Sequence, residues 1–399
     1  MKSISLYFLL IVAVLSSCQK QNINMHTVIH SDGTCERTVS YSNVMTKEQR
    51  DSLLGEHLNG WSQPMPECLN IDAFCKSYTE VGKDDTVKTT FTCPFSSVEE
   101  MCQQTPLQLN GVRLKSSAKL HKRFRWFYTE YTFTETFACV GDSFKLPPVN
   151  YADESIVSYW FTGHPNITEG LSGAETMSKL NEIEPLINKW LDDNFVNLCF
   201  DYIVSHYDSI PNPPVSRQRF IELEDSLVKF AKKGKDDILG IQADKVFKDF
   251  FGSDSYALFF DEDTNCGKEL MKIYSDRLSI LGFSVPYSLS MPGTVIDAGT
   301  GICKDGVVYY PLTGERLIPH DYVISAKSRI TNIWAYIVTL LVILIAIGSF
   351  AYGKKLILKK DLNETKMDKK TISTCLRGLV IPVLASKTHL RRFCADSAC

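Results

Sequence analysis

Twenty-four consecutive residues without a charge, Ile330 to Gly353, interrupt an otherwise polar chain. Their core, IWAYIVTLLVILIAIGSFAY, matches the roughly 20 apolar residues that carry an α-helix across a hydrocarbon layer. A helix apolar on every side has no face to offer water, so it is either sealed inside a core or placed in lipid. Trp334 and Tyr336 near one end, and Phe350 and Tyr352 near the other, suit the headgroup belts. Arg329 closes the run before it, and Lys354, Lys355, Lys359 and Lys360 follow it. The sequence therefore predicts a transmembrane helix over 330–353, with Trp334, Tyr336, Tyr352, Lys354 and Lys355 at its interfaces.

Charge orients that helix. From Lys354 to Cys399 there are 11 Lys and Arg against 4 Asp and Glu, a net of +7, whereas residues 19–329 carry 31 against 42, a net of −11. Basic flanks stay in the cytoplasm, which puts 354–399 inside as a basic tail and the large acidic segment outside. Basic residues at the tail hold the helix end against anionic headgroups and do not call for nucleic acid.

The other end agrees. Lys2, an apolar run from Leu6 to Leu15, then Ser16 and Ser17 form a secretory signal, too short to span a bilayer. The order Leu15-Ser16-Ser17-Cys18 resembles the lipobox of bacterial lipoproteins. That resemblance implies removal of residues 1–17 and a diacylglyceryl group on the Cys18 sulfur, with acylation of the new amine. The alternative is an ordinary secretory signal beside an incidental cysteine. Together the ends imply an inner-membrane protein, single-pass and lipid-anchored, with its main domain over 18–329 facing the periplasm.

The 311 residues of 19–329 are enough for one large or two moderate cores, and no Pro/Gly/Ser-rich linker or internal repeat divides them. Nine cysteines fall there, an odd number with no C-x-x-C pair, so neither a zinc ribbon nor a thioredoxin-like site is expected. Cys68/Cys75 and Cys93/Cys102 are the pairings to test against free thiols.

Patterning divides the segment. Asp32-Gly33 sits between β-branched runs as a hairpin turn. TKEQRDSLLGEHL reads as a helix capped by Thr46. Two strands flank Lys83-Asp84-Asp85. GVRLKSSAKLH alternates, with Val112, Leu114, Ala118 and Leu120 on one face and Arg113, Lys115, Lys119 and His121 on the other; RFRWFYTEYTFTETF is its aromatic, Thr-rich partner. Phe127, Tyr131, Phe133 and Phe137 read as core. Between about 173 and 283 the period becomes helical, with Ser216 as a cap and Gly234 as a stop. Strands return at MPGTVIDA, at Ile302–Tyr310 folded on Lys304-Asp305-Gly306, and at DYVISAKSR. The expected fold class is α+β: a mostly antiparallel sheet built from both ends of the external segment, a helical insertion, and one transmembrane helix. A strand leading directly into the membrane helix, with a hairpin soon after Cys18, is similar in layout to LppM-type bacterial lipoproteins, a likeness that carries no residue roles.

Motifs for chemistry are few. Asp261, Asp263 and Asn265 have the spacing of a calcium loop, but Cys266 and Lys272 stand where an EF-hand needs glycine and glutamate, so a helix-capping turn is expected. His26 and His30 share a strand face with no third ligand. No G-x-S-x-G, H-E-x-x-H or P-loop occurs, and GTGICKDG leads into a hairpin. No metal and no cofactor are expected. The densest external basic row is Arg113, Lys115, Lys119, Lys122, Arg123 and Arg125, which suits lipid headgroups or is an ordinary solvated strand face. These features predict a non-catalytic envelope lipoprotein that binds or scaffolds, its partners membrane lipids and an unidentified envelope protein or ligand. An envelope hydrolase with dispersed catalytic residues is the alternative, and a sensor relaying to the tail comes third.

Overall fold

Asn22–Ile29 (β1) and Cys35–Val44 (β2) pair antiparallel from Asn22↔Ser42 to Ile29↔Cys35. Gly33 takes φ +102° at their turn, and the Asp32 carboxylate accepts from the Thr34 backbone N–H and hydroxyl, so the Asp-Gly pair makes the hairpin as expected. The computed structural model describes residues 22–44, 65–72, 74, 76–81, 86–234 and 243–375. The lipobox with Cys18, the helix expected after Thr46, Cys75, the Lys83-Asp84-Asp85 turn and the tail beyond 375 lie outside these residues.

β2 pairs onward with Thr86–Phe95 (β4), and β4 with Lys76–Val81 (β3). Val98–Gln103 (α1) follows, capped by the Ser97 side chain. GVRLKSSAKLH is not one strand but two. Val112–Arg113 (β6) closes a small ribbon with Gln108–Leu109 (β5) through Asn110 and Gly111 at positive φ, and Ser116–Phe124 (β7) belongs to another sheet. Leu114 and Ala118 stay buried, while Val112 is 69% exposed on the ribbon.

β7 pairs with Tyr128–Phe137 (β8). After the helices come Ser284–Ser290 (β9), Thr294–Asp297 (β10), Ile302–Lys304 (β11), Val307–Thr313 (β12) and Tyr322–Thr331 (β13). The β11–β12 turn has Asp305 and Gly306 at positive φ, the geometry expected of Asp-Gly. One sheet has the order β11-β12-β9-β1-β2-β4-β3, with β1 and β9 parallel; the second is antiparallel, β10-β13-β8-β7. The fold is thus α+β, with a mixed sheet drawn from both ends of the segment.

β9 is the strand the sequence hid, because it contains Pro286 and sits inside a sheet. Pro286 faces Pro311 of β12. The β1 ladder on β9 starts only at Met25↔Tyr287 and the β11 ladder on β12 ends at Ile302↔Tyr309, so neither proline is asked for the N–H it lacks.

Met25, Val39, Tyr287, Leu289, Val308 and Tyr310 of the first sheet meet Phe133, Phe137, Ile324 and Ala326 of the second in one core, with Val98 and Met101 of α1 joining it. Between β8 and β9 lie Glu154–Thr162 (α2), Gly173–Ser205 (α3), Arg217–Glu222 (α4), Glu224–Gly234 (α5), Ala243–Phe251 (α6) and Asn265–Gly282 (α7). The insertion begins at 154, earlier than the 173 set by periodicity, because α2 is a single short helix. A Ser172/Glu175 capping box starts α3, and Ser216 caps α4 as expected. Most helices surround their own aromatic cluster, and a third cluster joins Trp190 and Ile187 of α3 to Phe144 and Ile318, which flank strands. The chain divides between Thr331 and Asn332 into two units. The second begins with Ile333–Cys375 (α8), whose stretch Ile333–Lys359 is long and apolar enough to cross a membrane.

Candidate functional site

The basic row divides on folding. Lys119, His121 and Arg123 share the outer face of β7, an edge strand, and are exposed. Lys122 points the other way: its Nζ donates to the Ser31 carbonyl at 2.9 Å and lies 5.5 Å from the Tyr131 ring centroid. Arg125 lies in the β7–β8 turn, where its N–H donates to the Tyr128 carbonyl. Arg113 is on the ribbon, donating to the Gln103 carbonyl at 3.2 Å. It and Lys115 precede β7, so they stand about 25 Å or more along the strand from Arg125. The structure gathers Lys119, Arg123 and Arg125 and leaves Arg113 and Lys115 apart.

Residues the sequence reading passed over complete this surface. β13 lies beside β8, in register from Tyr322↔Phe137 to Thr331↔Tyr128. Lys327 and Arg329 therefore share the outer face with Thr132 and Glu130. Arg329 pairs with Glu130 at 3.4 Å and Lys327 with Asp297 at 3.3 Å. Phe127 is not core: it belongs to the turn with Trp126, which is 46% exposed next to an exposed Phe124. Three aromatic residues beside basic ones at a turn were the available signal. Tyr131, Phe133 and Phe137 are buried as expected.

A second group lies sealed between the sheets. Arg37 of β2 and Glu135 of β8 form an ion pair at 2.7 Å, neither side chain exposed. The Tyr287 hydroxyl donates to Glu135 at 2.8 Å, the Arg37 Nε–H donates to Thr27 at 3.1 Å, and the Cys102 thiol donates to Glu135 at 3.5 Å. Burial, with the Glu135 charge, holds the Tyr287 hydroxyl well above its ordinary range and pushes the Cys102 thiol up to about 12. Burial likewise pushes Cys35 up to about 12. Such thiols stay protonated at neutral pH and are poor nucleophiles. Cys93 and Cys102 are free thiols rather than a disulfide.

The insertion holds a cleft of about 430 Å³ between the loop carrying Asp142 and Lys145, the second half of α3, and Ile273 and Arg277 of α7. Two carboxylates line it, Asp142 and Asp201, the latter paired with Lys145 at 2.7 Å. At its rim Ser205 Oγ lies 3.0 Å from His206 Nδ1, and His206 Nε2 lies 3.9 Å from Glu269. This has the composition of a nucleophile–base–acid set, but Ser205 Oγ and His206 Nδ1 both converge on the Tyr202 carbonyl, at 2.7 and 3.0 Å. If Nδ1 donates there, it has no lone pair for the serine proton, and the arrangement caps the C-terminus of α3.

The Asp261 loop is the expected turn. Asp261 accepts from the Asp263 N–H, Thr264 caps α7, and a Cβ on Gly267 would fall 2.0 Å from the Asp261 carbonyl oxygen. His26 meets Ser288 and Ser290 rather than a metal set, and no cluster of three His, Cys, Asp or Glu suited to a metal occurs among the described residues. No family model, curated protein or solved structure matches this chain.

Proposed function

We propose that this is a bacterial envelope lipoprotein whose α+β domain binds or scaffolds outside the cytoplasm, anchored through a lipid on Cys18 and a helix that crosses the inner membrane. The observation that carries the reading is the stretch Ile333–Lys359: 27 residues with mean hydropathy 2.5 and only 6% of its apolar window buried. Leu340, Leu344 and Phe350 are among the apolar side chains left exposed, and each fully exposed one forgoes roughly 1.5–3 kcal/mol of burial. Lipid supplies that burial. The lipobox supports the second anchor, and the +7 tail supports a cytoplasmic C-terminus.

Binding rather than catalysis is supported by where the perturbed groups sit: Arg37, Tyr287 and Cys102 are closed inside the sandwich, away from any ligand. Membrane lipids and an unidentified envelope protein or ligand are the partners.

The test is extraction with alkaline carbonate combined with fatty-acid labelling. The full chain is expected to stay in the membrane pellet and take up label. Cys18→Ser should remain membrane-bound but unlabelled and unprocessed. Release by carbonate would reject the spanning helix, and persistent labelling would reject Cys18.

The Ser205–His206–Glu269 grouping favours a second reading, a hydrolase in the insertion. A p-nitrophenyl ester turned over by the purified chain and not by Ser205→Ala would establish it.

A further inference from the structure

The two anchors leave the sandwich from opposite ends. Thr331 is paired with Tyr128, so the chain exits the second sheet at the end bearing the Arg125–Phe127 turn. Lys122 and Tyr131 both donate to the Ser31 carbonyl, at 2.9 and 3.0 Å, so the β1–β2 turn lies at that end as well. The eight residues of β1 run back from there, placing Asn22 about 25 Å away at the other end.

Four residues separate Cys18 from Asn22, and they span at most about 14 Å. A sandwich standing with its Trp126 turn on the bilayer would hold Asn22 about 25 Å above it, out of that tether's reach. Strands lying along the surface bring both anchors down. Asn22 is then one sheet spacing, about 10 Å, above the outer sheet, inside the tether's span.

Charge selects the face that lies down. The outer face of β10-β13-β8-β7 carries Lys119, Arg123, Lys327 and Arg329 against Glu130 and Asp297. Those two acids are taken by Arg329 and Lys327, so Lys119 and Arg123 have no ion pair among the described residues. The other outer face offers no such row, since β2 turns Glu36, Thr38, Ser40 and Ser42 outward.

We propose that the domain lies flat on an anionic bilayer, its four-stranded sheet against the headgroups and Trp126 at the interface. This rests on the anchoring reading above and adds an orientation and a lipid class to it.

The experiment reconstitutes the full chain into vesicles with or without phosphatidylglycerol and places the photo-crosslinker benzoylphenylalanine at one position at a time. Lipid adducts are expected from positions His121, Val323 and Trp126 in anionic vesicles, and none from Tyr309 on the opposite sheet. Lys119→Gln and Arg123→Gln should each lower the Val323 adduct about fivefold. Adducts from Trp126 alone would mean an upright domain, and adducts from Tyr309, or equal yields in neutral vesicles, would equally overturn the proposal. Carbonate extraction of the same samples reads the anchor separately: a released chain fails the anchoring reading, whereas a retained chain without face-specific adducts fails only the orientation.

Discussion

The sandwich and the helical insertion fill their interiors differently. Between the sheets, apolar side chains surround Arg37, Glu135, Tyr287 and Thr27, which join strands of both sheets through directional bonds. Inside the insertion, rings do the packing: Phe220 stacks on Phe200 at 4.8 Å between centroids and on Tyr256 at 5.3 Å, and Phe251 meets Tyr256 at 4.7 Å. Ring packing tolerates sliding and rotation, whereas a buried ion pair tolerates little. A one-residue slip of β2 would turn Arg37 outward and leave Glu135 charged and alone. The difference teaches that the sheets are set in register by polar chemistry, while the helices are held by volume.

The largest effect should come from breaking that pair. Glu135→Leu leaves the Arg37 charge buried without its partner, which costs about 3–5 kcal/mol. Denaturant unfolding of the detergent-solubilised chain measures it, and hydrogen exchange should show protection falling in the strands more than in α3 and α6. Arg37→Met together with Glu135→Leu should recover most of the loss, because no charge is then stranded. A double variant as weak as the single one would mean that the site is needed for packing shape, and the contrast between the two interiors would collapse.

These core polar residues could be read from the sequence by parity. Glu135 alternates in phase with Tyr131, Phe133 and Phe137, Arg37 with Cys35, Val39 and Tyr41, and Tyr287 with Val285 and Leu289. Reading a charged residue as outward by type overrode its position. Turns carrying Asp-Gly, the Ser216 cap and the apolar run were legible because their physics is local. The Pro286 strand was not, since its prolines are tolerated only by the register of neighbours far away in sequence. The outer basic face was half legible: β7 shows its own charges, but only the pairing with β8 brings Lys327 and Arg329 beside them.

A smaller effect is expected in the insertion. Phe220 is fully buried among rings, yet Phe220→Leu keeps an apolar side chain of similar bulk that its neighbours can settle around. About 1–1.5 kcal/mol should be lost, with the strands keeping their exchange protection. A loss as large as that of Glu135→Leu would show the ring cluster to be as specific as the ion pair, and would remove the distinction drawn between them.

The smallest effect concerns pH and returns to the sandwich, on its outer surface. His26 of β1 is half buried, with Nδ1 2.7 Å from the Ser288 hydroxyl and Nε2 3.3 Å from that of Ser290. Burial lowers its pKa below the ordinary 6.5, against the opposing charge of Glu36 and a bond to the Ser288 backbone. In the window between the lowered folded value and 6.5, the unfolded chain binds the proton and the folded chain does not. Stability therefore rises with pH through that window, is complete above 6.5, and is lost as the solution is acidified below it. His26→Gln keeps a polar side chain that does not titrate, so the difference in unfolding free energy between the two chains should flatten above pH 6.5 and shrink on acidification. The comparison isolates His26 because every other titrating group is common to both chains. A difference that stays constant from pH 7 to pH 5 would mean that the two serines hold the imidazolium as readily as the imidazole, and that polar contacts on this face, unlike those inside it, do not discriminate charge.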